Sequence, residues 1–190
     1  DSKGGMYSWG GNNYGQLGDN TNDNSSSPVA VYTAGVLNGK TITQISCGFY
    51  HSMCLDSKGG MYSWGGNNYG QLGDGSTTQR NVPITVIYGI HNFEKIVSGY
   101  HYHLGLYKGE VWGWGSNKYG QLGNNTTTGI YTPVKMLQEE GILLGKTIVD
   151  IACGYYHSVV LDEDGKMYSC GLNTSGQCGD GTTTSPRIKP

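Results

Sequence analysis

Short runs of Val, Ile, Thr, Tyr, Met and Trp alternate along the chain with clusters of Gly, Asn, Asp and Ser. That is the pattern of strands separated by turns. From Pro28 onward it predicts strands over Val29–Thr33, Ile42–Gly48, His51–Asp56 and Met61–Gly65. The links between the second, third and fourth of these are short, so they are expected to be antiparallel neighbours in a four-stranded meander. The chain opens with a lone strand, Met6–Gly10, and closes inside another, Arg187–Lys189. Helical periodicity is not sustained anywhere; the best candidate, Met136–Leu144, is broken by Gly141. The expectation is an all-β protein.

The pattern repeats. WGGNNYGQLG at Trp9–Gly18 recurs unchanged at Trp64–Gly73, as WGSNKYGQLG at Trp114–Gly123, and as CGLNTSGQCG at Cys170–Gly179. A second block recurs as ISCGFYHSMCL at Ile45–Leu55, IVSGYHYHLGL at Ile96–Leu106 and IACGYYHSVVL at Ile151–Leu161. A third element is a proline opening a short strand, at Pro28, Pro83, Pro133 and Pro186. These divide the chain into repeat units of approximately 1–27 (partial), 28–82, 83–132, 133–185 and 186–190 (partial), three complete units of four strands with two stray strands. A four-stranded sheet repeated in this way must pack on its neighbours, and a β-propeller does so while protecting the sheet edges. Trp9, Trp64 and Trp114, with Leu17, Leu72 and Leu122, are the expected inter-blade packing residues. Seven blades of this size need roughly 350–390 residues, so the chain is expected to be part of a larger ring, completed by flanking repeats or by a second copy.

Composition narrows the function. The chain has 190 residues, a formal net charge of −2, 33 glycines and 12 basic residues, of which only Arg80 and Arg187 are arginines. Nucleic-acid grooves draw their affinity from clustered Lys and Arg, so a nucleic-acid partner is not expected. The longest apolar stretches fall well short of the roughly 20 residues of a membrane helix. Five cysteines exclude complete internal pairing. All five are expected to be reduced, with Cys47 and Cys153 buried at equivalent repeat positions, which favours a cytoplasmic location with the nucleus as the alternative.

These blocks resemble the repeats of the regulator of chromosome condensation family. Ile45–Met53 and Ile151–Val159 follow that family's run of an apolar residue, two small residues, Gly, two variable residues, His, then small and apolar. The WGxNxYGQLG string is the family's other hallmark. The resemblance covers essentially the whole chain and implies a β-propeller, usually of seven blades, whose turn positions contribute to partner-binding faces. The third copy departs from it with Val97 and with Tyr102 at the His position, and the last with Cys170 for Trp and Cys178 for Leu.

No catalytic constellation stands out. There is no GxSxG, HExxH or phosphate-loop motif, and no helix follows the glycine-rich strings to receive a pyrophosphate. His51 and His157 recur at one repeat position, which suits a structural turn residue donating to a backbone carbonyl better than a unique catalytic site. His101 and His103 flank Tyr102 without a nearby third ligand, and His91 stands alone, so neither metal nor cofactor is expected. Gly48 and Gly154 are expected to give the turns before the histidines their conformational freedom.

The candidate partner-binding residues are the pairs between that Gly and the His position: Phe49 and Tyr50, Tyr100 and His101, Tyr155 and Tyr156. A propeller sets corresponding turns side by side, so these rings should form an arc in which about half pack down and half form a rigid contact platform. The polar loops Asp19–Ser27, Asp74–Val82, Asn124–Thr132 and Asp180–Ser185 are a second candidate surface. The leading expectation is a non-catalytic protein-interaction or scaffold propeller, a structural module of a larger protein or assembly, cytoskeletal or ciliary. The family resemblance supplies the alternative of guanine-nucleotide exchange on a small GTPase, although no wedge-length insertion is present. A secreted binder or inhibitor is the further alternative.

Overall fold

The computed structural model describes residues 5–87, 92–138 and 141–190; His91 and the Glu139–Glu140 pair lie outside them. Thirteen strands are present among these residues: β1 (Tyr7–Gly10), β2 (Ser25–Ala30), β3 (Ile42–Cys47), β4 (His51–Asp56), β5 (Met61–Gly65), β6 (Arg80–Thr85), β7 (Lys95–Ser98), β8 (Tyr102–Tyr107), β9 (Glu110–Gly115), β10 (Ile130–Lys135), β11 (Ile148–Cys153), β12 (His157–Asp162) and β13 (Met167–Gly171). One turn of 3₁₀ helix, Gly141–Leu143, precedes β11.

All pairings are antiparallel. Sheets β3-β4-β5-β6 and β7-β8-β9-β10 are complete blades, β11-β12-β13 forms a third, and β1-β2 stand as a two-stranded sheet. The expected strand at Arg187–Lys189 is reduced to a single bridge between Gly171 and Arg187 at the fourth position of the third blade. The sheets also differ in phase from the repeat units. The proline-led strand closes the sheet before it, with β2 on β1, β6 on β5 and β10 on β9, rather than opening the next one. The polar loop after each GQLG string is what carries the chain back to its own sheet.

Each blade is held by repeated polar links. In the β4–β5 turn, the Asp56 carboxylate accepts hydrogen bonds from the Lys58 and Gly60 amides and from the Tyr62 hydroxyl. Burial alone would raise this carboxyl's pKa, but these donors hold it below the ordinary value. Asp162 repeats the arrangement with Lys166 and Tyr168. The asparagine of each WGxN string is fully or almost fully buried. Asn67 accepts from the Leu72 amide and donates to Asp74, Ser76 and Thr78, stapling the GQLG turn to the polar loop. Asn12, Asn117 and Asn173 do the same.

Between blades, Trp64 and Trp114 each seat on the glycine turn of the preceding copy. Trp64 Nε1 donates to the Gln16 carbonyl at 3.0 Å, and Trp114 Nε1 to the Gln71 carbonyl at 3.1 Å. A Cβ on Gly18 would lie 2.5 Å from the Trp64 ring and one on Gly73 2.8 Å from that of Trp114; both glycines also hold positive φ. At the third joint Cys170 takes the ring's place, and its thiol points at the Gln121 carbonyl. Trp64, Trp114, Leu17, Leu72 and Leu122 are buried in or beside these joints. Trp9 is 64% exposed, because no described GQLG turn precedes it.

The same open side explains a correction. Cys47 is exposed, and Ile45 beside it is 68% exposed. In the third blade, strands β7 and β8 pack on β11, where Cys153 is half-buried rather than buried as expected, and burial pushes its thiol up to about 12. β3 packs on β4 and β7 and makes no close contact with β1 or β2, so Cys47 lines an open concave site with Tyr7, Ser8 and Trp9.

Candidate functional site

The turns β3–β4, β7–β8 and β11–β12 place the six candidate rings in one connected array. Backbone hydrogen bonds set the turns side by side: the Phe49 amide donates to the Tyr100 carbonyl and the Tyr100 amide to the Tyr155 carbonyl, both at 3.3 Å. The first rings of the three turns are in contact, Phe49 to Tyr100 at 4.5 Å and Tyr100 to Tyr155 at 3.9 Å between centroids, the latter pair stacked. Phe49 and Tyr155 are each more than half exposed.

The second rings meet partners that the sequence reading did not single out. Tyr50 packs on Tyr14 at 4.5 Å, His101 stacks on Tyr69 at 4.7 Å, and Tyr156 packs on Tyr119 at 4.9 Å. Tyr14, Tyr69 and Tyr119 are the tyrosines of the three YGQLG strings. Each is oriented by its own repeat, because the glutamine two residues later accepts from the tyrosine's backbone amide. The recurrence of Tyr beside a seated Trp was the available signal; the fourth copy has Ser175 there.

His101 is the ring that least resembles a contact residue. It is only 9% exposed, and its Nδ1 lies 3.4 Å from Gln71 Nε2. Burial lowers its pKa, so the ring is neutral at pH 7.

The histidine position works differently from the expectation. His51 makes no hydrogen bond to a carbonyl; both its ring nitrogens are buried without a partner. Its ring meets His103 edge-on at 4.5 Å, and burial holds its pKa well below the ordinary value of 6.5. The carbonyl bond is made instead at the departing copy, where the Tyr102 hydroxyl donates to the His157 carbonyl at 2.5 Å. Nor do Gly48 and Gly154 supply unusual backbone angles, since neither has a positive φ. They supply space: a Cβ on Gly48 would overlap the His51 ring, one on Gly154 the His157 ring, and one on Gly99 the Tyr102 ring.

Two concave sites open between the paired rings. The smaller is lined by Tyr14, Tyr50, Asn68, Tyr69, Gln71 and His101. The larger lies one repeat further on, between Tyr69 with His101 and Tyr119 with Tyr156, and is edged by Lys118 and Tyr131. Among the described residues no group of three or more His, Cys, Asp or Glu side chains is placed to hold a metal ion.

Antiparallel blades joined by a seated tryptophan, with their turn rings aligned on one face, define a protein of β-propeller type. The RCC1-like domain profile matches residues 1–190, and the chain belongs to that family. Human E3 ubiquitin-protein ligase HERC2 is 33% identical over 192 residues, covering 97% of this chain and 4% of its own length. Human probable E3 ubiquitin-protein ligase HERC6 is 35% identical over 201 residues, covering 97% of this chain and 18% of its own. Among solved structures, human WBSCR16 superposes with a TM-score of 0.82 at 25% identity, over 98% of this chain and 48% of that one. Yeast RCC1 (Prp20), solved with Kap60 bound, gives 0.74 at 26% identity, over 90% of this chain and 38% of that one. The chain thus spans less than half the length of each of these relatives.

Proposed function

We propose that this chain is a protein-recognition module, without a catalytic step of its own, that binds partners through the aromatic face of its turns. The observation that carries this reading is the unbroken contact of Phe49, Tyr100 and Tyr155 across three blades. Rings braced against one another lose little conformational entropy on binding, and exposed aromatic clusters of this kind make interface hot spots. Relatives agree in kind: yeast RCC1 has been crystallised with Kap60, and the yeast Prp20p structure is described together with its binding to Gsp1p and histones. The sparse basic residues favour a protein partner over nucleic acid.

The test compares the wild-type chain with Phe49→Ala, Tyr100→Ala and Tyr155→Ala in quantitative pull-downs, with thermal unfolding alongside. Each variant is expected to weaken partner capture about tenfold or more while unfolding near the wild-type temperature. Full capture by all three variants overturns the reading. The alternative, exchange on a small GTPase, predicts accelerated release of a fluorescent guanine nucleotide, measured with the same proteins.

A further inference from the structure

We propose that the groove between the Tyr69–His101 and Tyr119–Tyr156 pairs binds a proline-rich segment in the polyproline II conformation. This deepens the proposed reading of the aromatic face and rests on it.

The lining decides the ligand's chemistry. Four tyrosines (Tyr69, Tyr119, Tyr131 and Tyr156) and His101 form the walls, and Asn68, Ser116 and Lys118 stand among them. Neither an aliphatic side chain nor a carboxylate is part of the lining, apart from the methyls of Thr127 and Thr128. A leucine or isoleucine knob would find no aliphatic pocket. A cationic side chain would meet Lys118, whose ammonium already stands 5.6 Å above the Tyr119 ring with no acid in the lining to offset a second cation. What suits flat aromatic walls with donors between them is a neutral ligand that offers C–H faces to the rings and unpaired carbonyls to the donors.

A polyproline II segment offers both. Its pyrrolidine rings stack on aromatic faces, and its backbone has no internal hydrogen bonds, so its carbonyls are free to accept. Aromatic-lined grooves are the general solution for recognising it. The repeat adds a second argument. The smaller groove shares Asn68, Tyr69 and His101 with the larger, so two aromatic grooves lie in succession across one ridge. A polyproline II helix presents equivalent faces about every 9 Å, three residues at about 3.1 Å each, so one regular chain offers the same face repeatedly. Both sides are rigid in advance, the walls through their ring-on-ring contacts and the peptide through its fixed φ.

The test measures fluorescence anisotropy of a labelled decaproline peptide on the whole chain, against a Gly–Ser decapeptide of the same length. Decaproline is expected to bind about tenfold tighter than the Gly–Ser control or better. Tyr69→Ala and Tyr119→Ala should each weaken it about tenfold, whereas Met167→Ala, an exposed side chain outside both grooves, should change it less than about twofold. Tyr119→Phe, which keeps the ring and the fold, should retain most of the affinity. Equal binding of the two peptides overturns the proposal, as does decaproline binding that is indifferent to both Tyr69 and Tyr119. If that happens while Phe49→Ala and Tyr155→Ala still abolish partner capture, the face stands as the binding surface and only its ligand chemistry is wrong.

Discussion

At the scale of single residues, the glycine before each aromatic turn and the ring after it form a lock. Because Gly48 has an ordinary φ, alanine there is unstrained in its backbone and fails by overlap, most closely with the His51 ring and next with the Gly99 carbonyl at 2.7 Å. Gly48→Ala should therefore destabilise the chain by about 1–3 kcal/mol, the usual cost of overpacking. Part of that loss should vanish when His51→Ala is added, the overlap with the Gly99 carbonyl remaining, and a double-mutant cycle in denaturant measures the coupling. Equal losses in both backgrounds would refute the lock. The same burial makes the fold sensitive to acid. His51 and His103 are fully buried and neutral, with His103 held down at about 3 by burial, while the unfolded rings titrate near 6.5. The unfolded chain thus binds the extra protons, so stability falls as pH drops below 6.5, by up to about 1.4 kcal/mol per pH unit for each ring. Asp56 adds loss only at lower pH, through its depressed carboxyl. Thermal midpoints measured from pH 7 to pH 4 should fall steadily, and His103→Phe should flatten the decline.

At the scale of elements, the joint between blades is a tryptophan seated on a positive-φ glycine with its indole N–H on the glutamine carbonyl. Trp114, fully buried, should cost about 3–5 kcal/mol on truncation to Ala, whereas Trp9→Ala should change stability by no more than about 0.5 kcal/mol. Urea unfolding of the two variants checks the contrast; similar losses would mean that Trp9 is covered in solution. This joint was legible in the sequence, because a Trp and a Leu recurring in three copies with a glycine turn leave few other roles. The phase of the blades was not. A repeat has no marked origin, and the proline-led strand reads equally well as the first strand of one unit or the last of another; only the asparagine-stapled loop, a long-range hydrogen-bond pattern, decides between them. Tyr14, Tyr69 and Tyr119 were hidden for a related reason: their role lies in contacts with the following blade, which no local string reveals.

At the scale of the whole molecule, three turns from three blades build one surface that none of them forms alone. The arrangement of candidate rings was legible from the propeller rule that like turns share a face, while the depth of His101 and the exposure of Cys47 were not, since both depend on which neighbouring blade covers them. The offset between repeat and sheet has one further consequence, for how such a chain changes in length over evolutionary time. Each copy gives one strand backward to the sheet before it and three forward to the next. Deleting or duplicating a copy anywhere between two equivalent positions therefore leaves every remaining sheet with its full set of strands. The stretches Asp1–Asp19 and Asp56–Asp74 are identical residue for residue, as a recent duplication would leave them. An exchange between two equivalent positions of the repeat keeps the strand complement of each sheet it joins, because every copy hands its first strand to the sheet before it.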